Sequence, residues 1–244
     1  MFLAKIAIIT FILSFVFALG GLGSAVALIP ILVFTGISFK VARATGLFVN
    51  FLATGSLTIY NLKTGYLKFN GLVPMVIISI LFAPLGAYVS NIINQRVIGI
   101  AFAIFLLFVG IMTFIPRKKK RFKENINVPF FSIAGGLGGF LSGLLGVGGG
   151  GIISPILYFV GYDPRLVARV TAFVVPFSSF IAFTVYARVC KLNLILLVTV
   201  SISAITAGYL AGHYSSHRLN REHIKIVIGI IFLILGIKFF LKFI

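Results

Sequence analysis

Acidic residues are almost absent from this chain of 244 residues. Only Glu124, Asp163 and Glu222 carry a carboxylate side chain, and charged residues of both signs make up just 10% of the sequence. Hydrophobic residues make up 60%, more than a soluble domain of this size can bury, so the chain is predicted to be a polytopic membrane protein. The apolar runs do not alternate with polar residues as barrel strands would, so they are predicted to be helices.

The sequence also lacks the residue patterns that most chemistry requires. Cys190 is the only cysteine, so no disulfide can form within the chain. No metal-ligand cluster and no Walker motif occurs, and we therefore expect neither catalysis nor a bound cofactor or metal. Residues 146–151 spell G-x-G-x-x-G, but a dinucleotide site would need a soluble strand before it and an acid about 20 residues further on. Neither is present.

Basic residues greatly outnumber acidic ones, with 21 Lys and Arg and a formal net charge of +18. Most of them lie in short loops between apolar runs, which is typical of cytoplasmic loops beside anionic lipid. We therefore expect the lipid bilayer, and not nucleic acid, as the partner. Segment 116–128 holds six of these cations. It is predicted to be a cytoplasmic linker between a first membrane repeat, residues 1–115, and a second, residues 129–244.

The second half of the chain repeats the first. Gly36 matches Gly161 at an offset of 125, and residues 41–45 (VARAT) match residues 167–171 (VARVT) at an offset of 126. Further matched pairs are Pro30 with Pro155, Tyr60 with Tyr186, Gly86 with Gly212, and Gly110 with Gly236. A constant offset broken by one inserted residue indicates duplication. In so apolar a chain it suggests a transporter, because two repeats that face each other can form a site at mid-membrane.

Two of the apolar runs are too long for one upright helix. Ordinary spans are predicted at 41–60, 71–91, 97–115, 166–188, 193–213 and 223–243. Runs 2–35 and 129–160 are interrupted by glycines at 20–23 and 143–151. Glycine disfavours helix and permits tight turns, so each is predicted to be two helical pieces joined by a non-helical segment. The predicted fold is all-α, with two homologous repeats and about eight helical segments. Gly135, Gly139 and Gly143, four residues apart, are predicted to pack against a neighbouring helix.

Charge does not decide the orientation of the repeats. If each broken run re-enters the membrane, the repeats are inverted. If each crosses once, the repeats are parallel. Either way the cytoplasmic side holds 13 cations and the other side 8, so the positive-inside rule leaves both topologies open.

Several of these motifs resemble the TauE/SafE family of sulfite exporters and related permeases. They are the glycine run 146–151 followed by Pro155, the turn at 161–165 (GYDPR), and residues 167–171 with their weaker copy at 41–45. The resemblance covers nearly the whole chain. It implies a multi-pass carrier in the cell inner (plasma) membrane, for small sulfur-containing or organic anions. The first copy departs from the pattern, with a short Gly20–Gly23 segment in place of the long glycine run.

The breaks and the nearby polar residues suggest where an anion binds. A re-entrant topology would start two helices near mid-membrane, at about Ser24 and Ile152, and exposed helix N-termini suit an anion. The candidate substrate-binding residues are Ser24, Arg43, Asn50, Gly148, Gly149, Gly150, Arg169 and Thr171. Other interpretations stay open: Ser24 as an N-cap, the arginines snorkelling to headgroups or pairing structurally, and the polar residues of the spans as helix contacts. Tyr60 and Tyr186 are predicted interface anchors.

Function is predicted as a secondary carrier for a small anion, with sulfite, an organosulfonate or another organic anion as its substrate. No acid lies within a predicted span to relay protons, so export driven by the membrane potential is expected. An anion channel and a permease for non-sulfur anions are the alternatives. A homodimer stays open.

Overall fold

A computed structural model describes residues 2–20, 22–65, 71–115, 123, 125–215 and 221–244, without the side chains of 215 and 221–225. These residues form ten helices and no strand beyond an isolated bridge between Lys123 and Tyr162. The helices are α1 Phe2–Gly20, α2 Ala25–Phe34, α3 Phe39–Lys63, α4 Val73–Ile92, α5 Gln95–Phe114, α6 Val128–Leu145, α7 Gly150–Phe159, α8 Pro164–Val189, α9 Leu194–Ser215 and α10 Arg221–Phe243. The predicted all-α polytopic fold is confirmed. Most of the predicted linker lies outside the described residues.

Seven of these helices are long and apolar enough to cross a membrane, namely α1, α4, α5, α6, α8, α9 and α10. Helix α3 is longer than most of them, at 25 residues, but is more polar. It packs against α2, α8 and α9, so its polar side chains contact protein. Arg43, Asn50 and Thr54 are all buried on it. The most polar helix is therefore the central one.

Both long apolar runs are divided at their glycines, as predicted. The first break separates α1 from α2, and the second separates α6 from α7. Gly23, Gly146 and Gly148 have φ angles of +78°, +77° and +74°, in the left-handed region that glycine occupies without steric cost. A residue with a side chain would be strained at each of these positions. The backbone conformation of the breaks therefore requires glycine.

Matched helices of the two halves run in opposite directions. Contacts between α3 and α8 pair Asn50 with Ser179 and Thr58 with Ala172, so one residue number rises as the other falls. Contacts between α5 and α10 do the same, because Gly99 lies beside Phe243 and Gly110 lies beside Leu233. Both pairs are antiparallel. Of the two topologies left open by the charges, the structure has the inverted one, while homology of the halves stays a sequence prediction.

The broken run α6–α7 is a hairpin that returns to the face where it began. Phe131, near the start of α6, packs against Tyr162, which follows α7, with ring centroids 4.9 Å apart. The break between them reaches Arg43, near the other face. We call the face at the start of α6 and the end of α3 the linker face, and the face at the start of α3 the Arg43 face.

The broken run α1–α2 enters from the Arg43 face. The end of α2 lies beside the end of α10, where Lys242 Nζ donates to Val33 O at 2.9 Å. Phe15 contacts Tyr214, near the ends of α1 and α9, so α1 runs in the same direction as α9. Since α9 follows α8 at the Arg43 face, α1 begins there too. The two hairpins therefore enter from opposite faces.

Close packing of α4 on α6 depends on small residues, as predicted for the glycines four residues apart. A Cβ at Gly135 would lie 2.6 Å from the Met75 carbonyl oxygen, and a Cβ at Gly139 would lie 2.5 Å from that of Ser79. A Cβ at Gly143 would overlap the carbonyl of Ala83. The two backbones thus approach each other too closely for any side chain. This packing fixes the hairpin against the first half of the chain.

Candidate functional site

The two breaks meet at the middle of α3. Asn50 is fully buried near the midpoint of that helix. Gly23 lies against its amide from the first break, and Gly148 lies against it from the second. A Cβ at either glycine would overlap the Asn50 amide. Backbone from two hairpins of opposite direction therefore contacts a single side chain. We call this place, where the two breaks meet Asn50, the crossing.

The amide of Asn50 is only half satisfied. Its Nδ2 donates to Ser179 Oγ at 3.0 Å, while its Oδ1 has no hydrogen-bond partner among the described residues. Leaving a buried polar atom unpaired costs about 1–3 kcal/mol, and most such atoms in proteins are paired. An unpaired amide oxygen between two helix starts therefore suggests that a ligand binds here or that the Asn50 amide rotates.

Two helix N-termini point into this region. Helix α2 follows Ser24 and helix α7 follows Gly149, and neither cap residue makes a side-chain capping bond. A Cβ at Gly151, in the first turn of α7, would lie 2.8 Å from Val26 Cγ2 in the first turn of α2. The two helix starts are therefore in contact. Each carries roughly half a positive charge, and the two add at this point.

A narrow cavity lies beside the breaks, on the linker-face side of Asn50. It is lined by Ala18, Gly23, Thr54, Leu57, Gly150, Thr171, Ala172 and Val175. Thr54 and Leu57 follow Asn50 toward the end of α3, and the α8 residues lie near its beginning, so both sets lie toward the linker face. The cavity therefore extends from the helix starts toward that face.

Most of the predicted site residues gather here. Asn50, Gly148, Gly149 and Gly150 form the crossing itself. Ser24 is buried and accepts a hydrogen bond from Ser14 Oγ at 3.1 Å, without capping α2 through its side chain. Thr171 lines the cavity, and its Oγ1 donates to the Val167 carbonyl at 2.8 Å. Contact of these residues with a substrate stays a prediction.

The two predicted arginines do not lie at the crossing. Arg43 precedes Asn50 by seven residues, about 10 Å along the helix axis toward the Arg43 face. Arg169 is half-buried near the start of α8, ten residues and about 15 Å before Ser179, toward the linker face. The arginines therefore lie on opposite sides of the crossing.

Arg43 is fully buried and does not snorkel to a surface, so that interpretation is wrong for it. Its guanidinium lies over the rings of Phe39 and Tyr186, 4.5 Å and 4.9 Å from their centroids. Within the described part of the chain its acceptors are all neutral oxygens, namely Ser90 Oγ, Gln95 Oε1, Leu144 O and Tyr186 OH. We call Arg43 with these four acceptor residues the Arg43 cluster. It joins α3 to α4, α5, α6 and α8.

Tyr186 is not the interface anchor that its position predicted. It is fully buried, its hydroxyl donates to the Gly143 carbonyl at 2.8 Å, and Ser90 Oγ lies within hydrogen-bonding distance of that hydroxyl at 2.9 Å. Tyr60, its partner in the duplication, is half-buried beside His213, with the ring centroids 6.2 Å apart. Asp163 caps α8 by accepting from the backbone N–H groups of Arg165 and Leu166.

Sequence reasoning missed the acceptors of the Arg43 cluster. Ser90 and Gln95 lie at the ends of apolar runs, where polar residues are common and carry no signal. Ser179 had a weak signal, because it adjoins Ser178 within an apolar span and the pair is unusual there. Both serines are fully buried beside the second break.

The described residues form ten helices in two oppositely directed halves, and the two broken runs meet at a buried polar site. This arrangement defines a polytopic α-helical membrane protein. The chain belongs to the TauE/SafE family, since the family model described as sulfite exporter TauE/SafE matches residues 6–239. This family membership assigns the chain to the membrane transporters. The predicted family is confirmed.

Two curated relatives are similar along much of their length. A protein of Methanocaldococcus jannaschii, described as a probable membrane transporter protein, is 25% identical over 246 residues, which is 94% of this chain and 92% of the relative. A protein of Bacillus subtilis with the same description is 25% identical over 186 residues, which is 65% of this chain and 68% of the relative. No solved structure matches the chain.

Proposed function

We propose that this transporter is a secondary carrier for a small anion, which binds where the two breaks meet Asn50. The observation that carries the proposal is the convergence of the N-termini of α2 and α7 on one buried amide. Free N–H groups and two partial positive charges bind an anion without any cationic side chain. A site of this kind also releases its anion readily, as transport requires.

Asn50 supplies a donor to the anion by a simple rotation. In the present rotamer Nδ2 donates to Ser179 Oγ and Oδ1 is unpaired. Turning the amide by half a revolution lets the Ser179 hydroxyl donate to Oδ1 and directs Nδ2 toward the first break. Both amide atoms are then satisfied once an anion accepts from Nδ2.

The family description, sulfite exporter TauE/SafE, supports sulfite or a related anion as substrate. The names of the relatives support only a membrane transporter. We propose export across the plasma membrane, with the basic linker in the cytoplasm. An anion that leaves a cell negative inside gains about 2.3 kcal/mol per charge per 100 mV, so no coupling ion is needed. Asp163, the one acid whose side chain is described, lies at a helix start and not within the membrane.

Flux measurements in liposomes test the proposal. Purified protein is reconstituted, and uptake of labelled sulfite, sulfate and methanesulfonate is measured with and without an imposed potential. Counterflow of labelled against unlabelled anion identifies a carrier, because a channel does not show it. We expect potential-dependent flux that Asn50→Ala lowers by about tenfold, the equivalent of about one hydrogen bond to a charge.

Asn61→Ala is the matched control, because Asn61 is on the same helix near the linker face and is half-exposed. Its flux should equal that of the parent protein. Flux that does not change with the imposed potential would refute potential-driven export. Equal fluxes in the two asparagine variants would remove the crossing as the binding site.

A further inference from the structure

We infer that Arg43 forms a second anion subsite, specific for oxyanions, on the Arg43-face side of the crossing. In this structure the subsite is closed, and the acceptors of the Arg43 cluster occupy the places of the anion's oxygens. The inference rests on the proposed function, because it adds a step to the same route.

The first observation is a buried positive charge with no negative partner among the described side chains. All four acceptors of Arg43 are neutral, and its Nε has no hydrogen-bond partner. Asp163, the one described acidic side chain, caps α8 at the linker face. A buried guanidinium is normally compensated by a carboxylate or another oxyanion, since leaving it uncompensated costs several kcal/mol. Arg43 therefore keeps unused capacity for an anion.

The second observation is that the second break connects the cluster to the crossing. A Cβ at Gly146 would lie 2.6 Å from Arg43 Cβ, and Gly148 lies against the Asn50 amide. Only Val147 separates these two glycines, and it is fully buried. The same short backbone segment therefore contacts both Arg43 and the central site. Displacement of this segment would expose both at once.

The third observation is that the cluster and the cavity lie on opposite sides of the crossing. The small cavity lies on the linker-face side of Asn50. On the opposite side, hydrogen bonds from one guanidinium hold α4, α5, α6 and α8 to α3. In the proposed route, an anion that enters or leaves at the Arg43 face passes the cluster. Opening the face breaks the bonds to the neutral acceptors and frees the guanidinium for the anion.

The ligand class follows from the geometry of the guanidinium. Its parallel N–H groups bind two oxygens of one ligand side by side, and such charged pairs are stronger than bonds to neutral oxygens. Sulfite, sulfonates and carboxylates offer two or more oxygens, whereas a halide offers one atom. The subsite is therefore selective for oxyanions over halides.

Transport kinetics from each face test the subsite. Sulfite KM is measured in proteoliposomes with addition at the Arg43 face or at the linker face. Arg43→Lys keeps the charge and loses the paired N–H groups. We expect it to raise KM from the Arg43 face roughly tenfold and to leave KM from the linker face unchanged. Arg96→Lys is the control, since Arg96 is exposed on the same face and bonds the carbonyls of Phe243 and Ile244.

A second variant predicts a change of opposite sign. Tyr186→Phe keeps the ring that stacks on the guanidinium and removes one competing hydroxyl. We expect KM for sulfite at the Arg43 face to fall several-fold, because the anion displaces one acceptor fewer. A purely structural Arg43 would give equal losses of Vmax from both faces in Arg43→Lys and no gain of affinity in Tyr186→Phe. Either result would overturn the inference.

Binding measurements separate this inference from the proposed function. If the parent protein moves none of the anions, the carrier proposal fails, and thermal stabilisation in detergent by methanesulfonate or chloride then tests the subsite. Stabilisation by methanesulfonate alone, lost in Arg43→Lys, would support the subsite. Equal stabilisation by both salts, or by neither, would refute it.

Discussion

Replacing Gly148 by alanine is the sharpest test of the crossing. Its φ of +74° is a conformation that costs an L-residue about 1–2 kcal/mol. A Cβ there would also overlap Asn50 Nδ2 and lie 3.1 Å from Ser179 Oγ. The amide must therefore move away, and its hydrogen bond to Ser179, worth about 0.5–1.5 kcal/mol, is lost.

Together these effects amount to about 1.5–3.5 kcal/mol of destabilisation at the crossing. Only the displacement of Asn50 acts on the proposed substrate site. We therefore expect Gly148→Ala to remain folded and to lose sulfite flux at least tenfold. The assay is potential-driven uptake in proteoliposomes, normalised to the amount of monodisperse protein and accompanied by its thermal melting temperature.

Gly65→Ala separates the effect of backbone strain from the effect of the steric overlap with Asn50. Gly65 has a similar φ of +68°, and no heavy atom lies within 4 Å of the position that its Cβ would take. We expect backbone strain to lower the stability of Gly65→Ala by the same amount, while its flux per folded molecule stays unchanged. If the two variants lose flux equally, or if Gly148→Ala transports like the parent protein, the site does not lie at the crossing.

Three further changes have defined outcomes. Asn50→Asp should abolish anion flux more completely than Asn50→Ala, because its carboxylate would occupy the anion's place between the helix starts; measurable flux in Asn50→Asp would contradict this. Gly143→Ala should lower the melting temperature, because its Cβ would overlap the Ala83 carbonyl. Gly55→Ala has open space in a helix interior and should gain about 0.5–1 kcal/mol; equal shifts in the two variants would argue against the α4–α6 packing. Cys190 follows α8 at the Arg43 face, and burial raises the pKa of its thiol, so its thiolate fraction at neutral pH is low. Its labelling by an impermeant maleimide should be slow at pH 7, rise with pH, and occur from outside intact cells; labelling only in inside-out vesicles would reverse the proposed orientation.

Local features of the fold were predictable because helix breaking is a local property. Glycine runs marked both breaks, and the structure has positive φ angles at Gly23, Gly146 and Gly148. The lengths of the apolar runs predicted the remaining helices. The direction of the halves was not predictable, since both topologies distribute the cations equally. It became visible only through contacts between residues far apart in the chain, such as Asn50 with Ser179.

The candidate site was predictable in part for the same reason. Asn50 and the glycines of the second break carry their signal in the sequence, as a polar residue in an apolar span and as a helix-breaking run. The surroundings of Arg43 do not, because Ser90 and Tyr186 are 47 and 143 residues away. Tyr186 was misassigned because an aromatic residue near a span's end is usually at the lipid interface, and here tertiary packing buries it.

The crossing has an asymmetry that bears on the transport cycle. At the offset of 126 that relates the two halves, Asn50 corresponds to Pro176, which has neither an amide side chain nor a backbone N–H. Exchanging the roles of the halves would therefore place an apolar ring where the donor now stands. In the proposed carrier, the forms open to the two faces would then differ in energy. A carrier built this way would show different half-saturation and turnover in its two directions even with identical solutions on both sides.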